Sequence, residues 1–213
     1  MAYDELVDIL TPPTFAKSGV TKTLGQAWAD EDWIGTFNLW IVQSQPAPSI
    51  IYQIRSPKSN WAPSKLDVTD GGHYQAGEEI RDGLREISEE LGINYDFQKL
   101  ISLGRKMHVS PDTQSHMRHN LVDIFLIQDD RPLSTYKLQE SEVYAVCSCP
   151  ISQLIMVHTQ PGYKFKVTIV KSDKTTEQVE VNKESFPFNW DNYHFKIALL
   201  GDRYFKGDPN LIY

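Results

Sequence analysis

Between Glu78 and Glu90 an acidic residue returns at every fourth position: Glu78, Asp82, Glu86 and Glu90, with Glu89 beside the last. Wound at ~100° per residue, these side chains fall within a ~120° sector, while Ile80, Leu84, Ile87 and Leu91 fall within ~60° on roughly the opposite side. The pattern predicts one helix from Glu78 to Leu91, acidic on one face and apolar on the other, stopped by Gly92. Like charges four residues apart repel by a few tenths of a kcal/mol per pair, on the order of 0.2–0.5, so something must compensate. Hard divalent cations do so, because they take oxygen ligands and bridge carboxylates to phosphates. A solvated charged face is the commoner fate of such a run. Here the helix follows Gly71-Gly72, read as a tight turn, and a Gly77-Glu78 step, where backbone can approach a ligand and expose carbonyl oxygens to a cation.

The core face of that helix needs a sheet to cover. Strand-like runs occur at Thr36 to Val42 and Ile50 to Ile54, forming a hairpin, then at Leu66 to Val68, Leu100 to Val109, Leu121 to Gln128 and Val143 to Cys149. Ile151 to Val157 opens as a short helix after Pro150. Tyr163 to Val170 and Thr176 to Val181 alternate around a turn, and Asp191 to Phe205 reads as a helix. The sum is a mixed α+β domain with strands on both sides of one central helix. With 213 residues and 40% apolar composition, one elaborated domain over 1–213 is expected, its core at about 35–160 and a C-terminal hairpin and helix in 161–213.

A formal charge of -7 without a basic stripe argues against a nucleic-acid polymer or an anionic membrane as partner. The same charge admits a phosphorylated substrate only with cations between the two. The N-terminus is polar and acidic, and no stretch approaches ~18 uncharged apolar residues, so neither a signal peptide nor a membrane span is expected. Cys147 and Cys149, two apart in a strand, would strain the backbone if bonded, which points to a reducing, cytoplasmic setting.

The stretch from Gly71 to Ile93 resembles the Nudix box: Gly, five residues, Glu, seven residues, Arg-Glu, an aliphatic, any residue, Glu-Glu, any residue, Gly, an aliphatic. Gly72, Glu78, Arg85-Glu86-Ile87, Glu89-Glu90, Gly92 and Ile93 match its fixed positions, although six residues rather than seven separate Glu78 from Arg85. Starting from Gly71 restores the spacing but puts Gly77 at the first Glu. Arg55-Ser56, Lys58, Pro63, Leu66-Asp67 and Gly72-His73, with Asp4-Glu5 and Val7-Asp8, are similar to the Nudix branch related to isopentenyl-diphosphate isomerase. The resemblance implies an α/β/α sandwich around a central mixed sheet, with N- and C-terminal additions here. It also implies a Mg- or Mn-dependent hydrolase that cleaves a diphosphate linkage in a small metabolite, such as a nucleoside diphosphate derivative. By the same resemblance Glu86 and Glu90 are the principal metal ligands, Glu89 a further ligand or the base, the Gly72 carbonyl a backbone ligand, and Arg85 the residue that orients the carboxylates.

Isomerase members of that branch use a cysteine before the box, N-terminal histidines and a later glutamate pair. This chain reads Asn60-Trp61-Ala62-Pro63 in that loop, has no histidine before His73, and reads His119-Asn120-Leu121-Val122-Asp123 at the later strand. Hydrolysis is therefore the leading expectation. The alternatives are a non-catalytic Nudix-fold module that senses a nucleotide or binds a protein, and, third, an isomerase-like activity. Arg55, Lys58 and His73 are candidate substrate contacts. Glu140 and Glu142 are candidates for a distal ligand or base, and Asp123 reads as a satisfied structural acid. His108, His116 and His119 match no ligand spacing for a transition metal. Among Trp28, Trp33, Trp61 and Trp190 most belong to the core, and any could line an apolar pocket. The C-terminal hairpin offers an edge on which a second copy could pair as a homodimer.

Overall fold

Strand β3 (Trp33–Gln43) is the axis of the molecule, and its alternating residues face two different layers. The computed structural model describes residues 2–111, 116–187 and 190–213. Phe37, Leu39 and Ile41 pack with Ile87 and Leu91 of a helix on one side, while Trp40 and Val42 pack with two other helices on the opposite side. This is an α/β/α sandwich, as expected from the box.

In chain order the strands are β1 (Leu6–Thr11), β2 (Ala16–Thr23), β3, β4 (Ser49–Arg55), β5 (Leu66–Asp67), β6 (Asp70–His73), β7 (Ile101–Pro111), β8 (Met117–Gln128), β9 (Val143–Pro150), β10 (Phe165–Lys171) and β11 (Thr176–Val181). The helices are α1 (Leu24–Ala29), α2 (Leu84–Leu91), α3 (Ile151–Thr159) and α4 (Tyr193–Phe205). The strands join in one sheet whose main path runs β11-β10-β9-β4-β3-β1-β2, with β8 attached to β3 and β7 attached to β8. The sheet is mixed, because β8 runs parallel to β3 from Trp33↔His119 to Val42↔Gln128, whereas β3 and β4 are antiparallel.

β3 and β4 pair only at Ile41↔Ile51, Val42↔Ile50 and Gln43↔Ser49. Beyond that they part, and the segment between them splits its allegiance: β5 pairs with β4 and β6 with β3. Thr69 pins the fork, its Oγ1 accepting from the Ile41 amide at 3.0 Å and donating to the Ile51 carbonyl. The fork leaves open the ground over which α2 lies.

Three expectations need correction. Gly71 and Gly72 are not a tight turn but part of β6, where Gly72 pairs with Phe37. The glycine is required for closeness: a Cβ on Gly72 would lie 2.4 Å from Glu86 Cδ. The helix expected over Glu78 to Leu91 is shorter, a 3-10 turn over Ile80–Gly83 followed by α2. Glu79 is extended and exchanges capping hydrogen bonds with Asp82, so the box that is one residue short enters its helix by a tighter coil with more rise per residue. Gly92, in the left-handed region, ends α2 as expected. Finally, β1, β2 and α1 lie where no element was anticipated. The C-terminal hairpin extends the sheet from β9. No helix among the described residues is long and apolar enough to cross a membrane.

Candidate active site

One cavity of about 1060 Å³ opens over the fork, and its walls bring together residues far apart in sequence. α2 contributes Arg85, Glu86, Glu89 and Glu90; β6 contributes Gly72 and His73; the loop after β4 contributes Lys58 and Trp61, and β4 ends in Arg55. The expected cation ligands, Arg85 and the three expected substrate contacts therefore all reach this space. The acid row does not reach it whole. Asp82 is exposed and occupied with its own helix cap, and Glu78 serves Arg85 instead.

Arg85 is the hub. Its Nε donates to Glu78 Oε1 at 2.9 Å, its Nη2 to Glu86 Oε1 at 2.9 Å and its Nη1 to Glu89 Oε2 at 3.1 Å. Glu5 stands 3.8 Å away. Burial works against the charged guanidinium, but Glu78, Glu86 and Glu89 more than offset it and raise its pKa. Glu78 also accepts from the Gln75 amide at 2.7 Å, tying the loop to the helix. Arg85 thus sets the rotamers of two cavity acids, while Glu78, though shifted by one position, keeps a bridging place.

Glu86 is largely shielded, with 14% of its side chain exposed. Burial first, then Glu5 and Glu89, push its pKa up to about 7 against the pull of Arg85. Glu90 is raised as well, by burial first and then by Glu86 and Glu142, with Arg55 opposing. Acids held like this repel one another by more than Arg85 and Arg55 offset, which is an environment that binding of a cation relieves. As they stand, no three carboxylate, imidazole or thiol groups among the described residues surround a common point, since Glu86 and Glu89 lean on Arg85. The donor set nonetheless suits a hard cation: carboxylate oxygens on one helical face, opposite a glycine whose missing Cβ brings backbone and Glu86 together.

Facing the acids, Arg55 donates to Ser59 Oγ at 2.8 Å and the Trp61 carbonyl at 3.0 Å, lies 3.5 Å from Asp67, and sits 5.3 Å from the Trp61 ring centroid. It shapes the loop as much as it lines the cavity. Lys58 lies exposed on the rim. His73 is edge-on to Trp28 at 5.4 Å, and burial first, then Arg118 and Arg55, lower its pKa to about 4, so it stays neutral at pH 7. Trp28 is covered by Arg118 at 3.9 Å.

Sequence reasoning left two acids open and missed a third. Glu142 lines the cavity, whereas Glu140 accepts from Ser172 at 2.6 Å and does not. Asp70 was not anticipated; it is fully buried, and neither carboxylate oxygen has a hydrogen-bond partner among the described residues. His108 faces the cavity, but His119 stacks on Trp33 at 4.9 Å on the outside, so the histidines form no common site. Trp190 is exposed. Asp123 is satisfied, accepting from Tyr74 at 3.1 Å and from Arg105. Cys147 and Cys149 are free and buried in the layer packed against α3 and α4.

Fold and box geometry resemble those of Nudix proteins, and comparison with known proteins agrees. No family model matches the chain. A protein of Clostridium acetobutylicum named as an uncharacterised Nudix hydrolase is 27% identical over 191 residues, covering 81% of this chain and 86% of that protein. Nudix hydrolase 3 of Arabidopsis thaliana is 27% identical over 154 residues, which is 70% of this chain but 20% of that protein. Among solved structures, the DR0079 protein of Deinococcus radiodurans superposes with a TM-score of 0.57 at 20% identity, over 74% of this chain and 90% of that one. A MutT/nudix family protein of Enterococcus faecalis gives 0.52 at 13% identity, over 89% and 73%. The chain is thus similar to Nudix hydrolases over most of its length and shares their fold; the branch resembling isopentenyl-diphosphate isomerase is not singled out by these relatives.

Proposed function

We propose that this protein is a Mg- or Mn-dependent pyrophosphohydrolase acting on a diphosphate linkage in a small metabolite, a nucleoside diphosphate derivative being the favoured class. The observation that carries the reading is the convergence of Glu86, Glu89 and Glu90 on the same cavity as Arg55, Lys58 and His73. Glu86, Glu90 and the Gly72 carbonyl would hold the cation, with Glu89 as a further ligand or as base. A divalent cation there supplies positive charge that neutralises diphosphate oxygens and makes water more acidic.

The chain's own groups do the rest. Arg85 keeps Glu86 and Glu89 turned toward the cavity, and Lys58 and Arg55 offer positive charge to the far side of the substrate. Glu89, half exposed, or Glu142, on the loop bonded to the last turn of α2, accepts a proton from water as its oxygen bonds to phosphorus. The bridging P–O bond breaks, and the leaving phosphate carries away the electron pair. Isomerisation needs an acid at carbon, and the loop here brings Ser59, Asn60 and Trp61 rather than a thiol to the cavity. The free buried thiols and the acidic net charge fit a cytoplasmic enzyme of small molecules.

The test is turnover of a panel of diphosphate compounds with Mg or Mn, comparing wild type with Glu86→Gln and Glu90→Gln. Phosphate or monophosphate release should fall at least about 100-fold in both variants, as expected when a cation ligand is lost, with unchanged circular dichroism. Tight nucleotide binding by calorimetry, without product from any substrate, would instead establish a sensing module.

A further inference from the structure

Asp70 is the group in this molecule with the least apparent reason to be where it is. It stands at the start of β6, wholly screened from solvent, with both oxygens unpartnered among the described residues. An unpaired carboxylate in such a place is costly. The other two buried aspartates among the described residues are paired: Asp67 with the Val68 amide at 2.9 Å and with Arg55, and Asp123 with Tyr74 and Arg105. Asp70 has no such account.

Its direction follows from the strand. Side chains two apart in β6 share a face, and the Cβ direction of Gly72 runs into Glu86. Asp70 therefore projects toward α2, on the side opposite His73. The charged groups that act on it are Glu90, Glu86 and Glu89, all acidic. Four carboxylates thus share one side of the fork, with Arg85 the only cation bonded to any of them among the described residues, and it holds Glu86 and Glu89 rather than Asp70.

We propose that Asp70 is a further oxygen ligand of the cation site, a floor carboxylate behind Glu86 and Glu90 that strengthens divalent-cation binding beyond what the box residues achieve. The inference rests on the functional reading above. It also explains why an acid is kept in a buried strand position that an apolar residue would fill at less cost.

The experiment is calorimetric titration of purified protein with Mn, alongside melting curves with and without Mn, for wild type, Asp70→Asn, Asp70→Ala and Glu90→Gln. Both Asp70 variants should bind Mn at least about tenfold more weakly than wild type. Their metal-free melting temperature should be equal to or above that of wild type, since a buried carboxyl without hydrogen-bond partners has been removed, and the rise on adding Mn should shrink. A purely structural acid would show the reverse, a lower metal-free melting temperature with unchanged Mn affinity, and that result would overturn the proposal. Wild type that binds no Mn would defeat the hydrolase reading itself. Wild type that binds Mn with both Asp70 variants unaltered would defeat only the role of Asp70.

Discussion

Glu78 shows how a single displaced residue can keep its work. In the chain it is one position too close to Arg85, yet in space it still receives Arg85 Nε and the Gln75 amide, because the 3-10 turn between them supplies the missing rise. Glu78→Gln should lower turnover about fivefold to thirtyfold, in line with the roughly 1–2 kcal/mol held in a half-buried charge-assisted bond. Glu79→Gln, at an exposed position, should leave turnover unchanged. Steady-state kinetics on the two variants checks this, and equal losses would remove the special place given to Glu78. At this scale the cavity acids of α2, with Gly72 and Arg85, were legible because each carries a fixed spacing. Asp70 was not, since a lone acid beside two glycines reads as a turn, and its burial depends on pairing with a strand some thirty residues earlier. Glu142 was legible only as one of two candidates, because the loop that carries it is placed by Lys137 and Gln139 amides bonding to the last turn of α2.

Among elements, the N-terminal hairpin was the least legible and has a clear task. Every residue of β2 is exposed or half-buried, so no apolar alternation marked it; β1 did carry a signal, the alternation of Val7 and Ile9, too brief to stand alone. Such strands exist by pairing with each other and with β3. They grip the loop before α2: the Gly77 amide donates to Asp8 at 2.9 Å, Lys17 donates to the Glu78 carbonyl at 2.7 Å, and the Ala76 amide donates to the Leu6 carbonyl at 2.7 Å. Asp8→Ala should speed hydrogen exchange at Gly77 and Glu78 about tenfold, the equivalent of one net hydrogen bond, while amides of the β4–β9 ladder keep their protection. Exchange measured by mass spectrometry or NMR would decide it, and unchanged rates at Gly77 would mean that the hairpin does not hold the loop.

For the whole molecule, the sandwich was predictable from the box, but the parallel β3–β8 pairing and the fork between β3 and β4 are long-range consequences that no local pattern encodes. The far layer has its own titrating feature. His194, 3% exposed, lies among the Trp40, Tyr52 and Phe186 rings, and neither ring nitrogen has a partner among the described residues. Burial first, then His158 and Lys106, lower its pKa to about 3. The unfolded chain takes up this proton near pH 6.5 and the folded one does not, so the unfolded state binds more protons between those values. Stability from this group is therefore present above about pH 6.5 and is lost as pH falls, by about 1.4 kcal/mol per unit. Buried acids such as Glu86 have raised values and act with the opposite sign over part of that range, so the wild-type curve alone would mix the two. The difference between wild type and His194→Phe isolates the histidine. Urea midpoints of the metal-free proteins should converge in favour of the variant from pH 7 to pH 5, by roughly 2 kcal/mol in total. Parallel curves would mean that the folded protein protonates His194 in place.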